Sequence, residues 1–220
     1  MKNNFWNYTF IYGAGFLLLR GISFFLLPIY TNLLSQHDAG VIFLIYTVLA
    51  FLNPLYAYGM NASLFKFYSN DELKSKSVLS TSFISLFVSS SLFTLILILI
   101  SHNINWIIEV DSSINWFLFL SLILFSDSIS SRVFVILRLQ QKPFYFLGVG
   151  LLNIVLSLFL NYYLIKVCQL GVFGAVIALL IVAFAQLGVL FPSIIPSVSP
   201  SNFNFALFLN FVRKIKRPQR

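Results

Sequence analysis

Long apolar stretches separated by short polar segments recur along the whole chain. Each of six stretches has the roughly 20 residues that a helix needs to cross the hydrocarbon core of a bilayer. They lack the alternation of apolar and polar residues that is typical of membrane β-strands, and backbone groups in lipid must form their hydrogen bonds internally, so helices are expected. The six predicted spans are Phe10 to Leu34, Val41 to Phe65, Val78 to Ile100, Ile114 to Leu137, Pro143 to Val167 and Leu170 to Ile195.

The carboxyl-terminal part of the chain has a different character. Pro192, Pro196 and Pro200 interrupt the apolar pattern, and the stretch from Phe203 to Val212 is too short to cross a membrane. We therefore divide the chain into a six-helix transmembrane lobe, residues 1–196, and a final segment, residues 197–220. The final segment is predicted to be a cytoplasmic amphipathic or basic tail, or the start of a seventh helix.

The composition agrees with a membrane protein and argues against a soluble fold. Of the 220 residues, 59% are hydrophobic and 9% are charged, whereas soluble domains carry roughly 25% charged residues. The net charge of +8 does not indicate nucleic-acid binding, because the basic residues lie between or after the apolar stretches and form no stripe along a helix. The predicted fold class is an all-α, polytopic bundle of six transmembrane helices, with no nucleic-acid partner.

The distribution of lysine and arginine predicts the orientation of the chain. Short cytoplasmic loops of membrane proteins carry an excess of these residues. If the amino terminus is cytoplasmic, the opposite side of the membrane receives only Lys166, and both termini are cytoplasmic. The cytoplasmic side then receives Lys2, Lys74, Lys76, Arg138, Lys142 and the basic residues between Arg213 and Arg220.

Several polar residues are predicted to lie at a similar depth inside the membrane. Counting 1.5 Å per helical residue places Arg20, Asp127 and Asn153 each about 15 Å from the cytoplasmic boundary, with Asn53 and Gln186 about one turn away. Intramembrane charges often mark transport pathways. Two arrangements are open: a water-accessible cavity that contacts substrate, or an ion pair between Arg20 and Asp127 in a closed bundle.

Further polar positions extend this face of the fourth predicted span. Asp127, Ser131 and Arg138 lie within about 40° of one another around a helix. Arg132 lies on a different side and is expected to extend its charge to the interface.

Signals for enzymatic or cofactor chemistry are missing from the sequence. His37, His102 and Cys168 are isolated and have no spacing typical of a metal site. The phosphate-binding motif G-x-x-x-x-G-K-[ST] is also missing, which argues against ATP hydrolysis by this chain. We expect no catalytic residues, no metal and no cofactor.

Three groups of residues form short motifs along the chain. They are Tyr12-Gly13-Ala14-Gly15 with Arg20-Gly21, Leu27-Pro28-Ile29-Tyr30-Thr31 and Ala39-Gly40; then Tyr58-Gly59-Met60-Asn61-Ala62-Ser63 with Lys66-Phe67-Tyr68; and finally Leu170-Gly171-Val172-Phe173-Gly174-Ala175. Through these individually loose motifs, nearly the whole chain resembles bacterial polysaccharide-biosynthesis membrane proteins, the O-antigen and capsule flippases of the multidrug/oligosaccharidyl-lipid/polysaccharide exporter superfamily.

The resemblance implies a function and a set of binding residues. Such proteins are formed by two lobes around a central cavity, and this chain matches only the first lobe. The substrate would be an undecaprenyl-pyrophosphate-linked O-antigen or capsule repeat unit, moved across the bacterial inner membrane. Arg20 would attract the pyrophosphate, and Lys66, where members often carry arginine, would help Arg138 to capture it. The candidate substrate-binding residues are Arg20, Asn53, Lys66, Asp127, Arg138 and Asn153.

The expected partners are the lipid-linked oligosaccharide, membrane lipid and a second lobe, which could be another copy of the chain. Three alternatives to a flippase lobe remain. The chain could be a lobe of a cation-coupled drug antiporter, with Asp127 as the proton or sodium site. It could be a membrane glycosyltransferase or ligase, although its predicted outer loops are short. It could also be a non-transporting truncated remnant or an assembly partner.

Overall fold

The computed structural model describes residues 13, 15, 17, 21–22, 24–57, 64, 72–104, 114–194, 198, 202, 204–205 and 207. Within these ranges the chain is all-helical and forms no strand. A π-helical turn, Tyr163–Val167, continues the fifth helix. The helices are α1 (Phe24–Leu33), α2 (Gln36–Ala57), α3 (Glu72–Ile104), α4 (Trp116–Leu139), α5 (Pro143–Tyr162) and α6 (Gly171–Ile194).

Five of these helices, α2 to α6, are long and apolar enough to cross a membrane. The first predicted span, Phe10 to Leu34, is represented by the short apolar helix α1, and most of its remaining residues lie outside the described ranges. The structure therefore gives five of the six predicted spans. The predicted edges were less accurate, because α2 begins at Gln36 rather than at Val41 and α3 is longer at both ends than the predicted span.

Helix α4 is the central helix of the bundle. It packs against α2, α3, α5 and α6. In its most apolar stretch 78% of the residues are buried, compared with 22–44% in the other four long helices. The outer helices direct exposed apolar side chains away from the bundle, among them Phe51, Leu99 and Phe159. This distribution suits a bundle whose surroundings are themselves apolar.

Side chains and turn geometry fix the ends of the helices. The Ser35 hydroxyl accepts a hydrogen bond from the Asp38 amide (3.1 Å) and donates one to the Asp38 carboxylate (2.8 Å). This pair satisfies an otherwise unpaired amide in the first turn of α2, where a negative charge is also favourable. Asn115 caps α4 by accepting from the Leu118 amide, and its side-chain amide donates to Ser101 Oγ at the end of α3 (2.8 Å).

A tight turn reverses the chain between α4 and α5. The Lys142 amide donates to the Leu137 carbonyl (3.0 Å) and the Gln140 amide to the Ile136 carbonyl (2.9 Å). Gln141 adopts a left-handed conformation with φ of 53°, as is common just after a helix ends. Pro143 then begins α5 at a position where its missing amide costs no hydrogen bond.

Two buried apolar clusters stabilise opposite ends of the bundle. The cluster at the end where α2 and α4 begin contains Ile42, Trp116 and Val172 among its residues. The cluster beside the α4–α5 turn contains Phe134, Leu137, Val149 and Leu190, with the Phe134 and Phe146 rings edge to face at 5.1 Å. Asp127 and Asn153, described below, lie between these clusters along their helices, and Tyr30 belongs to the first one.

Candidate functional site

A cavity of about 140 Å³, partly open to the surroundings, lies among the helices, and polar side chains interrupt its otherwise apolar lining. Residues from α1, α2, α4, α5 and α6, and Ile22 just before α1, form its walls. The volume is enough for several water molecules, each of which takes about 30 Å³ in the liquid. The lining residues are Ile22, Leu26, Tyr46, Ile123, Asp127, Asn153, Ser157, Leu179, Val182 and Ala183.

Asp127 on α4 is the charged group among the described lining residues. Its side chain is half-buried, and no described residue donates a hydrogen bond to it or forms an ion pair with it. Placing an ionised carboxylate in an apolar interior is costly unless a cation, a proton or hydrogen-bond donors compensate the charge. A partner of this kind in the cavity around Asp127 would therefore stabilise the bundle.

Asn153 on α5 also lines this cavity. Its side-chain amide nitrogen donates a hydrogen bond to Oε1 of Gln186 on α6. The bond joins two helices and directs one Asn153 donor away from the cavity, while Oδ1 keeps its capacity to accept. The structure thus places Asp127 and Asn153, two of the six predicted site residues, in the lining of one cavity, and Gln186 is hydrogen-bonded to Asn153.

A second set of polar residues continues from the cavity along α5. Tyr30, 1% exposed, donates its hydroxyl proton to Oδ1 of the fully buried Asn161 (2.8 Å). The side-chain amide of Asn161 donates to the Ser157 carbonyl (2.8 Å). The Tyr30 and Tyr46 hydroxyls are 3.0 Å apart. Since Tyr30 has already used its proton, Tyr46 is the donor of this bond. These four residues link α1, α2 and α5 at the edge of the cavity.

The sequence contained a signal for part of this network. Asn153, Ser157 and Asn161 are spaced four residues apart, which places them on one face of a helix. Among the residues of this network, only Asn153 was predicted to belong to the site. The prediction missed Ser157, Asn161, Tyr30 and Tyr46. The two tyrosines carry no comparable signal, because a tyrosine in an apolar span is equally compatible with facing lipid.

The other predicted site residues do not line this cavity or fall outside the described part of the chain. Asn53 is half-buried beside Pro54 on α2, away from the cavity walls. Arg138 lies in the last turn of α4, where its Nε donates to the Phe134 carbonyl (3.4 Å) and its guanidinium lies 6.0 Å from the centre of the Phe146 ring. Arg20 and Lys66 lie outside the described residues. The choice between an Arg20–Asp127 ion pair and an open cavity therefore stays open.

The expectation that Arg132 extends to the interface is wrong. Its side chain is buried in the bundle at 1% exposure, and Nη1 donates to Ser82 Oγ on α3 (3.0 Å). Five residues separate it from Asp127, which turns it about 140° away from the cavity at 100° per residue. On this side of α4, Arg132 contacts Ser82 of α3. Ser82 is one of several buried small hydroxyl residues on α3, which also include Ser80, Thr81 and Ser85.

The helices and the cavity together define a class of protein. Apolar helices long enough to cross a bilayer surround a small polar interior, as in helical membrane proteins. Comparisons of the chain with protein-family models, with curated proteins and with solved structures find no significant match.

Proposed function

We propose that the chain is one lobe of a transporter that moves an undecaprenyl-pyrophosphate-linked O-antigen or capsule repeat unit across the bacterial inner membrane. The observation that carries the proposal is the polar cavity at Asp127 and Asn153, inside a bundle whose helices are otherwise strongly apolar. The resemblance of the sequence to polysaccharide flippases supports the choice of substrate.

The energetic cost of the polar groups favours a transport role over a purely structural one. A charged residue at the centre of a membrane helix costs about 2.5–3.5 kcal/mol on insertion scales. Asp127 has no described partner that would offset this cost within the lobe. Membrane proteins mostly place such residues along substrate or ion pathways, which agrees with a lobe whose interior is reached by water or ions.

The cavity is too small to hold the oligosaccharide. Pockets for small organic ligands span about 300–1,000 Å³, and this cavity has about 140 Å³. A lipid-linked repeat unit is larger than such ligands. We therefore place the substrate between this lobe and a second one, with Arg20, Lys66, Arg138 and Asn53 as proposed contacts, and assign the cavity within the lobe to a smaller species.

A second lobe follows from this arrangement. Alternating access requires one bundle to move against another around a shared site. The six proposed helices would supply one wall of that site. Another copy of the chain, a separately encoded lobe or a longer form of the same polypeptide could supply the other wall.

The proposed topology, six spans with both termini in the cytoplasm, predicts a pattern of cysteine labelling. The single cysteine, Cys168, is exposed between α5 and α6 and should react with a membrane-impermeant maleimide in intact spheroplasts. In a Cys168→Ser background, Gln141→Cys at the exposed α4–α5 turn and Asn3→Cys should react only after the membrane is permeabilised. Labelling of Gln141→Cys from outside would reverse the orientation. Labelling of Asn3→Cys from outside would place the amino terminus outside, which would mean that the predicted span from Phe10 to Leu34 does not cross the membrane.

The transport function is tested in cells that make the lipid-linked repeat unit. Depletion of the chain should leave this lipid accessible only from the cytoplasmic leaflet, measured with an impermeant lectin on spheroplasts and on inverted vesicles. The wild-type chain should restore labelling from the periplasmic side. Unchanged labelling from that side after depletion would contradict a flippase role.

A further inference from the structure

We propose that the groove between α1 and α2 binds one acyl chain of a membrane phospholipid. The groove has a volume of about 420 Å³, and its described lining residues all come from these two helices. The proposal depends on the shape and chemistry of this surface and not on what the protein transports. The lining residues are Phe24, Leu26, Leu27, Tyr30, Phe43, Tyr46 and Ala50.

The groove has a buried floor and an exposed apolar rim. Leu26 and Tyr30 are almost fully buried and form the floor. Phe24, Leu27 and Phe43 are exposed apolar side chains on the two walls, and Phe24 alone is 79% exposed. The groove is therefore open along one side to whatever surrounds the bundle.

The polar atoms of the lining already have partners inside the bundle. The Tyr30 hydroxyl donates to Oδ1 of Asn161, and the Tyr46 hydroxyl donates to the Tyr30 oxygen. The two rings thus present mainly carbon to the groove. None of the described lining residues carries a charge. A ligand of this groove therefore needs apolar surface and no charged or hydrogen-bonding group.

A hydrocarbon chain suits such a lining better than water does. Water in a cavity needs two to four polar partners, so apolar cavities stay dry. An empty groove would leave its lining atoms without dispersion contacts on one side. Helix α2 is long and apolar enough to cross a membrane, and α1 is apolar as well. Acyl chains are therefore the medium to which the groove opens.

The position of the groove along the helices matches the depth of acyl chains. The connection between α1 and α2 contains the exposed polar residues Ser35, Gln36 and His37, which suit the membrane surface. A helical rise of 1.5 Å places Tyr30 about 8 Å and Phe24 about 17 Å from Ser35. The hydrocarbon of one leaflet is about 15 Å deep. A phospholipid of this leaflet could keep its headgroup at the connection with one chain in the groove.

The groove shares a wall with the cavity at Asp127. Leu26 and Tyr46 line both of them. An acyl chain in the groove would pack against the ring of Tyr46, whose hydroxyl is bonded to Tyr30. The bound chain would thus support the polar network that links α1, α2 and α5.

The experiment maps the contacts of a phospholipid probe with the full-length chain in nanodiscs of phosphatidylethanolamine and phosphatidylglycerol. The probe is a phosphatidylethanolamine with a photoactivatable diazirine near the middle of one acyl chain, and mass spectrometry identifies the labelled residues. Labelling should be concentrated at Phe24, Leu27 and Phe43. It should exceed labelling at Leu99 and Phe159, which are exposed apolar side chains outside the groove.

Variants that fill the groove separate it from ordinary lipid-facing surface. Ala50→Phe places a ring in the groove, and keeping roughly two methylene groups of the chain out should lower labelling there about tenfold. Val155→Phe is the matched control, because it enlarges an exposed apolar side chain of α5 outside the groove, and it should be labelled as the wild type is. If Ala50→Phe fails to fold, the smaller Ala50→Leu should lower labelling in the same direction.

Three outcomes would overturn the proposal. Labelling at the groove no stronger than at Phe159 would make it ordinary lipid-facing surface. Unchanged labelling in a folded groove-filling variant would place the chain elsewhere. Loss of labelling when undecaprenyl phosphate is added in an amount equal to the probe would assign the groove to a polyprenyl chain in place of a phospholipid.

Discussion

Replacing Arg20 with alanine should lower transport of the lipid-linked oligosaccharide about ten- to hundredfold. A hydrogen bond to a charged group contributes roughly 1.5–3 kcal/mol, and each 1.4 kcal/mol corresponds to a factor of ten. Arg20 is predicted at the depth of Asp127 and Asn153, and the proposed function gives it the pyrophosphate of the substrate. The measurement is the initial rate of lipid movement across vesicles at equal protein content.

Two further variants define what Arg20 does. Arg20→Lys keeps the charge but loses the forked donor geometry of the guanidinium, so it should retain an intermediate rate. Arg20→Cys in a Cys168→Ser background should react with an impermeant thiol reagent if the residue lines an aqueous pathway. Complete protection from both sides, or a transport rate for Arg20→Ala equal to that of wild type, would favour the closed ion pair with Asp127.

Arg132→Ala should lower the free energy of unfolding by about 2–5 kcal/mol, the range for truncation of large apolar core side chains, because loss of the buried aliphatic stem of the arginine would leave a comparable cavity. Arg132 is 1% exposed, and the hydrogen bond from its guanidinium to Ser82 joins the two helices α3 and α4. Truncation would leave a cavity beside the central helix. Thermal or steric-trapping unfolding in detergent measures the change.

Ser82→Ala is the control for the hydrogen bond alone. Interhelical hydrogen bonds in membrane proteins contribute about 0.6 kcal/mol on average, so this variant should lose much less stability than Arg132→Ala. Equal losses in the two variants would mean that the single hydrogen bond, and not the packing of the buried arginine, carries the effect. If Arg132→Ala had the same free energy of unfolding as the wild type, the result would contradict the buried position of Arg132.

The helical class, and five helices long and apolar enough to cross a membrane, could be predicted from the sequence because bilayer thickness sets a length that hydrophobic stretches must reach. The similar depth of Asp127 and Asn153 in the bundle could also be predicted, since counting the helical rise from the loops placed both residues at one level. Depth alone does not define which way a side chain points. Asn53 has a similar predicted depth and does not line the cavity.

The positions of Arg132 and Tyr30 could not be predicted in this way, because each depends on a residue from another helix. The burial of Arg132 requires Ser82, 50 positions earlier in the chain, to face it across the α3–α4 contact. Tyr30 is fixed by Asn161, which lies 131 positions away. Helical periodicity shows which residues share a face, but the partner of that face is set by packing among the helices.

The most direct test of the transporter proposal is the movement of lipid-linked oligosaccharide across vesicles reconstituted with the purified protein. Samples would contain either the isolated chain or the complex that it forms in mild detergent, with the mass of each determined by light scattering corrected for bound detergent. The proposal predicts transport by a complex that supplies two lobes and none by the isolated monomer. Transport by a stable monomer would contradict the need for a second lobe, and failure of the intact complex to move the lipid would contradict the function itself.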